Sequence, residues 1–192
     1  DGQKDATPGV RIQAPSPIWI VYAKMLLRLQ HEYEVYSFPY DWRRAPDFHA
    51  RRLSQFIDQK LAASDKKKVT LVGHSMGGLV ALDYLSGEKT KSHAEQYVRR
   101  VITLGTPFLG AMDAVVNLAR GNDPKLEIAR KLNRANDPQK MLRSLPGIYS
   151  VLPAPREFFP HWNPLPNLDI WNPDVWAQAN IPINARLLAQ AR

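Results

Sequence analysis

The chain has 192 residues, 44% hydrophobic and 23% charged, which makes it an ordinary globular chain with enough length for a real core. It has no cysteine, which rules out a disulfide framework, a thiol nucleophile and any thiolate metal site, and leaves the compartment open. The net charge is +8, but Lys66-Lys67-Lys68 is the one run of three basic residues, and the pairs Arg43-Arg44, Arg51-Arg52 and Arg99-Arg100 are scattered along the sequence without interleaved aromatics. Solvated faces are therefore expected, and no nucleic-acid partner.

The chain opens on Asp1 with no signal-peptide pattern, as a processed end or a cut would. Val10-Arg11-Ile12 suits a short strand. Ser16-Pro17 reads as an N-cap followed by proline at the first helical position. Ile18, Tyr22, Met25, Leu26 and Leu29 then recur at helical spacing. Lys24 and Arg28 interrupt this stretch, which is too short and too charged to span a bilayer. Tyr33 to Phe38 alternates as a strand does, and Pro39 ends it. Leu53, Phe56, Ile57 and Leu61 mark another helix. Lys68 to Gly73 reads as a buried strand, Met76 to Ser86 as a helix capped by Gly87, and Val98 to Leu104 as a further strand.

This alternation predicts an α/β fold: a mostly parallel sheet with helices on both faces and right-handed connections. No internal repeat is present. The style changes after Pro107. Eight of the 16 prolines lie between Pro146 and Pro182, with Trp162, Trp171 and Trp176 among them. Proline removes ladder donors, so this stretch cannot continue a sheet interior. It predicts a cap or lid with short helices, such as one after Asn172-Pro173. The expected division is a core over residues 1–108 and a cap-like segment over 109–192.

Gly73-His74-Ser75-Met76-Gly77 stands between a predicted strand and a predicted helix, the context a nucleophile elbow requires. The turn is sharp enough to strain the serine backbone. Side chains at 73 and 77 are expected to collide with neighbouring backbone, which explains both glycines. Ser75 is the candidate nucleophile. The backbone N–H of Met76 is the candidate oxyanion donor, helped by the helix N-terminus. His74 is read as structural.

A serine needs a base, and the base an orienting acid, in the chain order Ser, Asp or Glu, His. After Ser75 come only His93 and His161. His93 follows the elbow helix and is expected at the surface. His161 lies in the proline-rich cap, and Asp169 and Asp174 come after it, in the wrong order. Residues 1–9 carry no loop for the other half of an oxyanion hole.

Several blocks occur together in order. They are Pro8-Gly9-Val10-Arg11-Ile12, Pro39-Tyr40-Asp41-Trp42-Arg43, Leu71 to Gly78, Leu104-Gly105-Thr106-Pro107-Phe108-Leu109-Gly110 and Ser144-Leu145-Pro146. In these the chain resembles the lecithin:cholesterol acyltransferase-like branch of the α/β-hydrolases. The Tyr-Asp-Trp-Arg block separates this branch from generic lipases, and reads structurally as a strand-end ion pair of Asp41 with Arg43 or Arg44, packed by Trp42. The resemblance implies a Ser-Asp-His triad of which only Ser75 can be carried over. The family's Asp and His fall beyond Arg192 and its oxyanion-hole strand before Asp1, so the chain reads as an internal fragment, truncated at both ends and inactive by itself.

The expected function is acyl transfer from a lipid ester through an acyl–Ser75 intermediate, to water as a lipase or phospholipase or to an alcohol as an acyltransferase. Phe158, Phe159, Trp162, Trp171 and Trp176 suit an acyl chain, and suit a plain core equally. The implied partners are the lipid substrate and a transient membrane or lipid-aggregate surface. No cofactor and no metal are expected, since no H-E-x-x-H, P-loop or Cys/His cluster is present. Two alternatives stand beside this: a non-catalytic scaffold or binding module, and, ranked below it, a basic lipid-surface or nucleic-acid binder.

Overall fold

A computed structural model describes residues 16–120, 137–160 and 164–192. The expected strand at Val10–Ile12, with its sequence block, and His161 and Trp162 lie outside these residues. The described residues fall into two compact units. One holds 16–42 and 46–104, the other 43–45 and the residues from 105 onward.

The first unit contains α1 (Trp19–Leu29), α2 (Pro46–Ala62), β1 (Val69–His74), α3 (Met76–Ser86), α4 (Lys91–Tyr97) and β2 (Val98–Leu104). The two strands pair in parallel, from Val69 opposite Val98 to His74 opposite Leu104. Parallel pairing demands a crossover, and α3 with α4 supplies it. Val69, Leu71 and Val98 pack against a core of Ala50, Leu53, Ile57, Val80, Tyr84 and Ala94, drawn from α2, α3 and α4. The pleat sends alternate residues the other way. Val72, Ile102 and Leu104 are 40–43% exposed. The expected many-stranded sheet with helices on both faces is thus, among the described residues, a two-stranded parallel sheet packed on one face.

Other expectations need correction. Residues 34–40 hold no regular secondary structure. Alternation prepares a segment for pairing, but a strand needs a neighbour's ladder, and no described strand offers one. Phe38 packs instead on the Phe56 ring, with centroids 5.3 Å apart. Helix α1 starts at Trp19, with Ile18 in the cap position and no side-chain cap. Its first bonds run from Val21 and Tyr22 N–H to the Ile18 carbonyl, so Ser16 is too early to cap it. Gly87 does end α3, but its φ of −64° is not the left-handed cap conformation. Glycine is needed there for space: a Cβ would lie 2.6 Å from the Asp83 carbonyl oxygen.

The second unit contains α5 (Met112–Arg120), α6 (Pro138–Leu142), α7 (Pro146–Tyr149), α8 (Pro173–Gln178) and α9 (Ala185–Ala191). Prolines open α6, α7 and α8, where their missing N–H costs nothing. Asp137, Asn172 and Asn184 cap α6, α8 and α9 through side-chain oxygens. The core gathers Leu118, Leu145, Tyr149, Trp171, Trp176 and Leu188. Both indoles are satisfied as they are buried: Trp171 donates to the Pro153 carbonyl at 2.9 Å and Trp176 to that of Ile170 at 2.7 Å. Tyr149 donates to the Arg143 carbonyl and accepts from the Asn184 N–H. Of the aromatics expected to line a cap, Trp171 and Trp176 are core, whereas Phe158 and Phe159 are exposed. No helix among the described residues is long and apolar enough to cross a membrane.

Two glycines here separate strain from collision. Gly105 and Gly110 both have positive φ, +56° and +81°. A Cβ at Gly105 meets nothing within 4 Å, but one at Gly110 would lie 2.1 Å from the Leu152 carbonyl oxygen. Gly105→Ala should cost about 1 kcal/mol, and Gly110→Ala upward of about 3 kcal/mol, as read by urea unfolding. Equal losses would contradict the geometry.

In the first unit, burial raises the Asp83 carboxyl to about 6, and the Asp47 charge adds to it. The folded chain therefore holds a proton that the unfolded chain releases between roughly pH 4 and pH 6. Stability from this group rises as pH falls through that window and is lost as pH rises through it. Asp83→Asn should gain on the order of 1 kcal/mol at pH 7, discounted for partial exposure, and flatten the profile. Thermal melts of both proteins at pH 4.5 and pH 7 check this.

Candidate active site

Ser75 links β1 to α3 and is exposed. Its backbone stands at φ 53° and ψ −130°, one of two non-glycine residues with positive φ among those described. An L-residue held there costs of order 1–3 kcal/mol and persists only where the surroundings enforce it. Two bonds do so. The Ser75 N–H donates to the Leu104 carbonyl at 2.9 Å, and its carbonyl accepts from the Gly78 N–H at 3.0 Å. The last residue of β2 thus holds the turn that leaves β1.

The two elbow glycines differ. A Cβ at Gly73 would lie 2.8 Å from the Gly77 carbonyl carbon and oxygen and from the Gly78 Cα, so that position must be glycine. A Cβ at Gly77 would meet only the Tyr40 ring and hydroxyl, at 3.9 and 3.6 Å, which is ordinary contact. The expected backbone collision therefore holds at 73 and not at 77. Gly73→Ala should lose at least about 2 kcal/mol of stability. Gly77→Ala, in a helical first turn, should be neutral or gain up to about 1 kcal/mol. A Gly77→Ala loss matching that at 73 would contradict this.

Met76 is the first residue of α3, so its N–H is among the four amides with no intrahelical acceptor. The positive end of the helix dipole lies at the same place. Such a position can stabilise an oxyanion formed beside Ser75.

The aromatic and histidine surroundings of the elbow were not legible from sequence. The Tyr22 hydroxyl lies 2.7 Å from Nδ1 of His74, with the rings edge-on, so His74 is tied to α1. Tyr22 was visible only as part of an apolar stripe, which says nothing about where its hydroxyl ends. Burial first, and then nearby Tyr22, push Tyr40 up to about 12, so it stays a neutral hydroxyl beside Gly77. His49, fully buried, bonds the Asp41 carbonyl at 2.8 Å through Nε2, so the Tyr-Asp-Trp-Arg block is anchored to α2. Trp42, expected to pack this block, is 51% exposed.

His93 corrects another expectation. Its Nδ1 lies 2.6 Å from the Tyr84 hydroxyl and its Nε2 2.9 Å from Asp58 Oδ1. Tyr84 is fully buried. His93 is therefore a half-buried clip joining α2, α3 and α4 rather than a free surface side chain. Nothing in the sequence marks Asp58 as its partner across 35 positions. Among the described residues no histidine hydrogen-bonds Ser75, and no group of three His, Cys, Asp or Glu gathers to hold a metal. Asp169 and Asp174 serve backbone N–H bonds and a helix start in the second unit.

A parallel strand–helix–strand unit with a strained, exposed serine at its strand-to-helix turn defines an α/β protein with the geometry of a nucleophile elbow. The sequence model of lecithin:cholesterol acyltransferase matches residues 15–185, and the chain belongs to that family. The family implies an α/β-hydrolase-like fold, of which two parallel strands are present here. Phosphatidylcholine-sterol acyltransferase of Mus musculus is 32% identical over 120 residues, 61% of this chain and 26% of that protein. Phospholipid:diacylglycerol acyltransferase 1 of Arabidopsis thaliana is 27% identical over 152 residues, 65% of this chain and 23% of that protein. Lysosomal phospholipase A and acyltransferase of Bos taurus is 30% identical over 102 residues, 52% of this chain and 25% of that protein. The chain thus spans about a quarter of the length of these relatives.

Proposed function

We propose that this chain carries the nucleophile of a lipid acyl-transfer enzyme, with Ser75 attacking the carbonyl of a lipid ester. The Ser75 oxygen bonds the acyl carbon, the alcohol leaves with a proton, and an acyl–Ser75 ester remains. A second alcohol or water then takes the acyl group and restores the hydroxyl. The single observation that carries this reading is the strained backbone of Ser75 at the head of α3. A strained serine maintained by Gly73 and by the Leu104 carbonyl is expected where a hydroxyl must be presented, and is hard to justify in a plain connection. The relatives are named as lipid acyltransferases and phospholipases, which supports a lipid ester as donor.

Met76 N–H supplies one oxyanion contact in this reading, and Gly73 and Gly77 frame the turn. The base and its orienting acid come from residues outside those described. Residues 109–192 are the cap-like segment in this reading, and Phe158 and Phe159 are its exposed aromatics.

A second reading follows from one observation, the lack of any described histidine bonded to Ser75. In it the elbow survives in a binding module without turnover. A serine-reactive alkyl phosphonate distinguishes the two. The whole protein that carries this chain should be labelled at one equivalent and lose lipid-ester turnover with the same time course. Ser75→Ala should remove both, with turnover down by at least about a thousandfold. Turnover and labelling unchanged in Ser75→Ala would sink the first reading. Folded protein that neither turns over ester nor takes the label would establish the second.

A further inference from the structure

The basic residues that look scattered in sequence meet in the fold. Lys66, Lys67 and Lys68 lead directly into β1 at Val69. The register sets Val69 opposite Val98, and so brings the lysines to the same sheet end as Arg99 and Arg100 of β2. Neighbouring strands run about 4.8 Å apart and rise about 3.3 Å per residue, so Lys68 and Arg99 stand about one Debye length apart at physiological salt, with the other charges within a few strand rises.

The strand itself is modified at this spot. The register slips by one residue, with Thr70 opposite Arg100, leaving Arg99 as an extra residue in β2. Strict alternation would send one of two consecutive arginines toward the packed face. The bulge leaves both exposed. Few groups offset the charge. Asp65 holds Lys66 at 2.9 Å, both of them exposed. Glu34 is engaged by Ser64 and Tyr36. Lys60 adds a further positive charge nearby, over the Tyr36 ring at 5.0 Å. The side chains of Lys67, Lys68, Arg99 and Arg100 have no hydrogen-bond or ion-pair partner among the described residues. Crowding like charges on paired strands costs stability, and a bulge that keeps two arginines outward adds to that cost.

We propose that this strand-start end of the sheet is a docking surface for an acidic polypeptide segment. Arginine forks suit carboxylates in bidentate fashion, while the lysines extend an attractive field. The Tyr36 ring, already covered by Lys60, offers bases no run of stacking platforms. Ser75 follows the opposite end of β1, about 20 Å away by strand rise. A partner docked here leaves the elbow open, whereas a bilayer docked here would turn Ser75 away from its lipid. That choice of partner over a bilayer rests on the acyl-transfer reading, and the patch itself does not.

Fluorescence anisotropy of a labelled oligoglutamate peptide on the purified protein tests this without any activity readout. Binding should weaken steeply with salt. Lys67→Glu with Arg100→Glu should weaken it about tenfold or more, and the neutral Lys67→Gln with Arg100→Gln by an intermediate factor. A charge-matched control, Lys24→Glu with Arg186→Glu, should change it less than about twofold. Equal weakening by both pairs, or no binding at low salt, overturns the proposal. So does patch-dependent capture by phosphatidylserine vesicles or duplex DNA without capture of the peptide.

Discussion

A Cβ at position 73 would stand 2.8 Å from the backbone of Gly77 and Gly78, and the local geometry around Ser75 depends on that atom being absent. Without it, the chain can fold back from β1 into α3 within one residue. The turn then needs an external anchor, because Ser75 sits where L-residues are strained. The Leu104 carbonyl provides it, so the parallel pairing of β1 with β2 is also what holds the serine. Pairing, turn and helix entry form one device: the ladder that builds the sheet also sets the backbone of the residue at its end.

That device was largely legible beforehand, because its signals are local. The apolar run before Gly73, the apolar residues after Met76 and the Val98 to Leu104 run each appear as elements with nearly the expected bounds. What was not legible depends on partners distant in sequence. Tyr33 to Phe38 has the alternation of a strand and lacks a described neighbour to pair with. Gly77 looks equivalent to Gly73 in the motif, and differs only in what its Cβ would meet. His93 reads as an isolated polar residue until α2 brings Asp58 to it and α3 brings Tyr84. The bulge at Arg99 is a property of register, which no composition records.

The two ends of the small sheet carry different chemistry. At the strand ends, a helix N-terminus, a strained serine and the neutral Tyr40 hydroxyl gather in a setting suited to an anionic transition state. At the strand starts, lysines and arginines gather around a bulge. Membership of the lecithin:cholesterol acyltransferase family does not address the second. The second unit is built differently, from proline-started short helices with satisfied caps around two buried indoles. Its packing explains why an aromatic and proline-rich stretch is an ordered core here.

The most direct test of the central claim is mass spectrometry of the whole protein quenched during turnover of a lipid ester. The account predicts a peptide spanning Gly73 to Gly77 heavier by one acyl group, with fragment ions placing it on Ser75 and with its loss when an acceptor alcohol is added. Turnover with the acyl group on another residue, or with no acylated peptide under conditions that trap such esters, would contradict it.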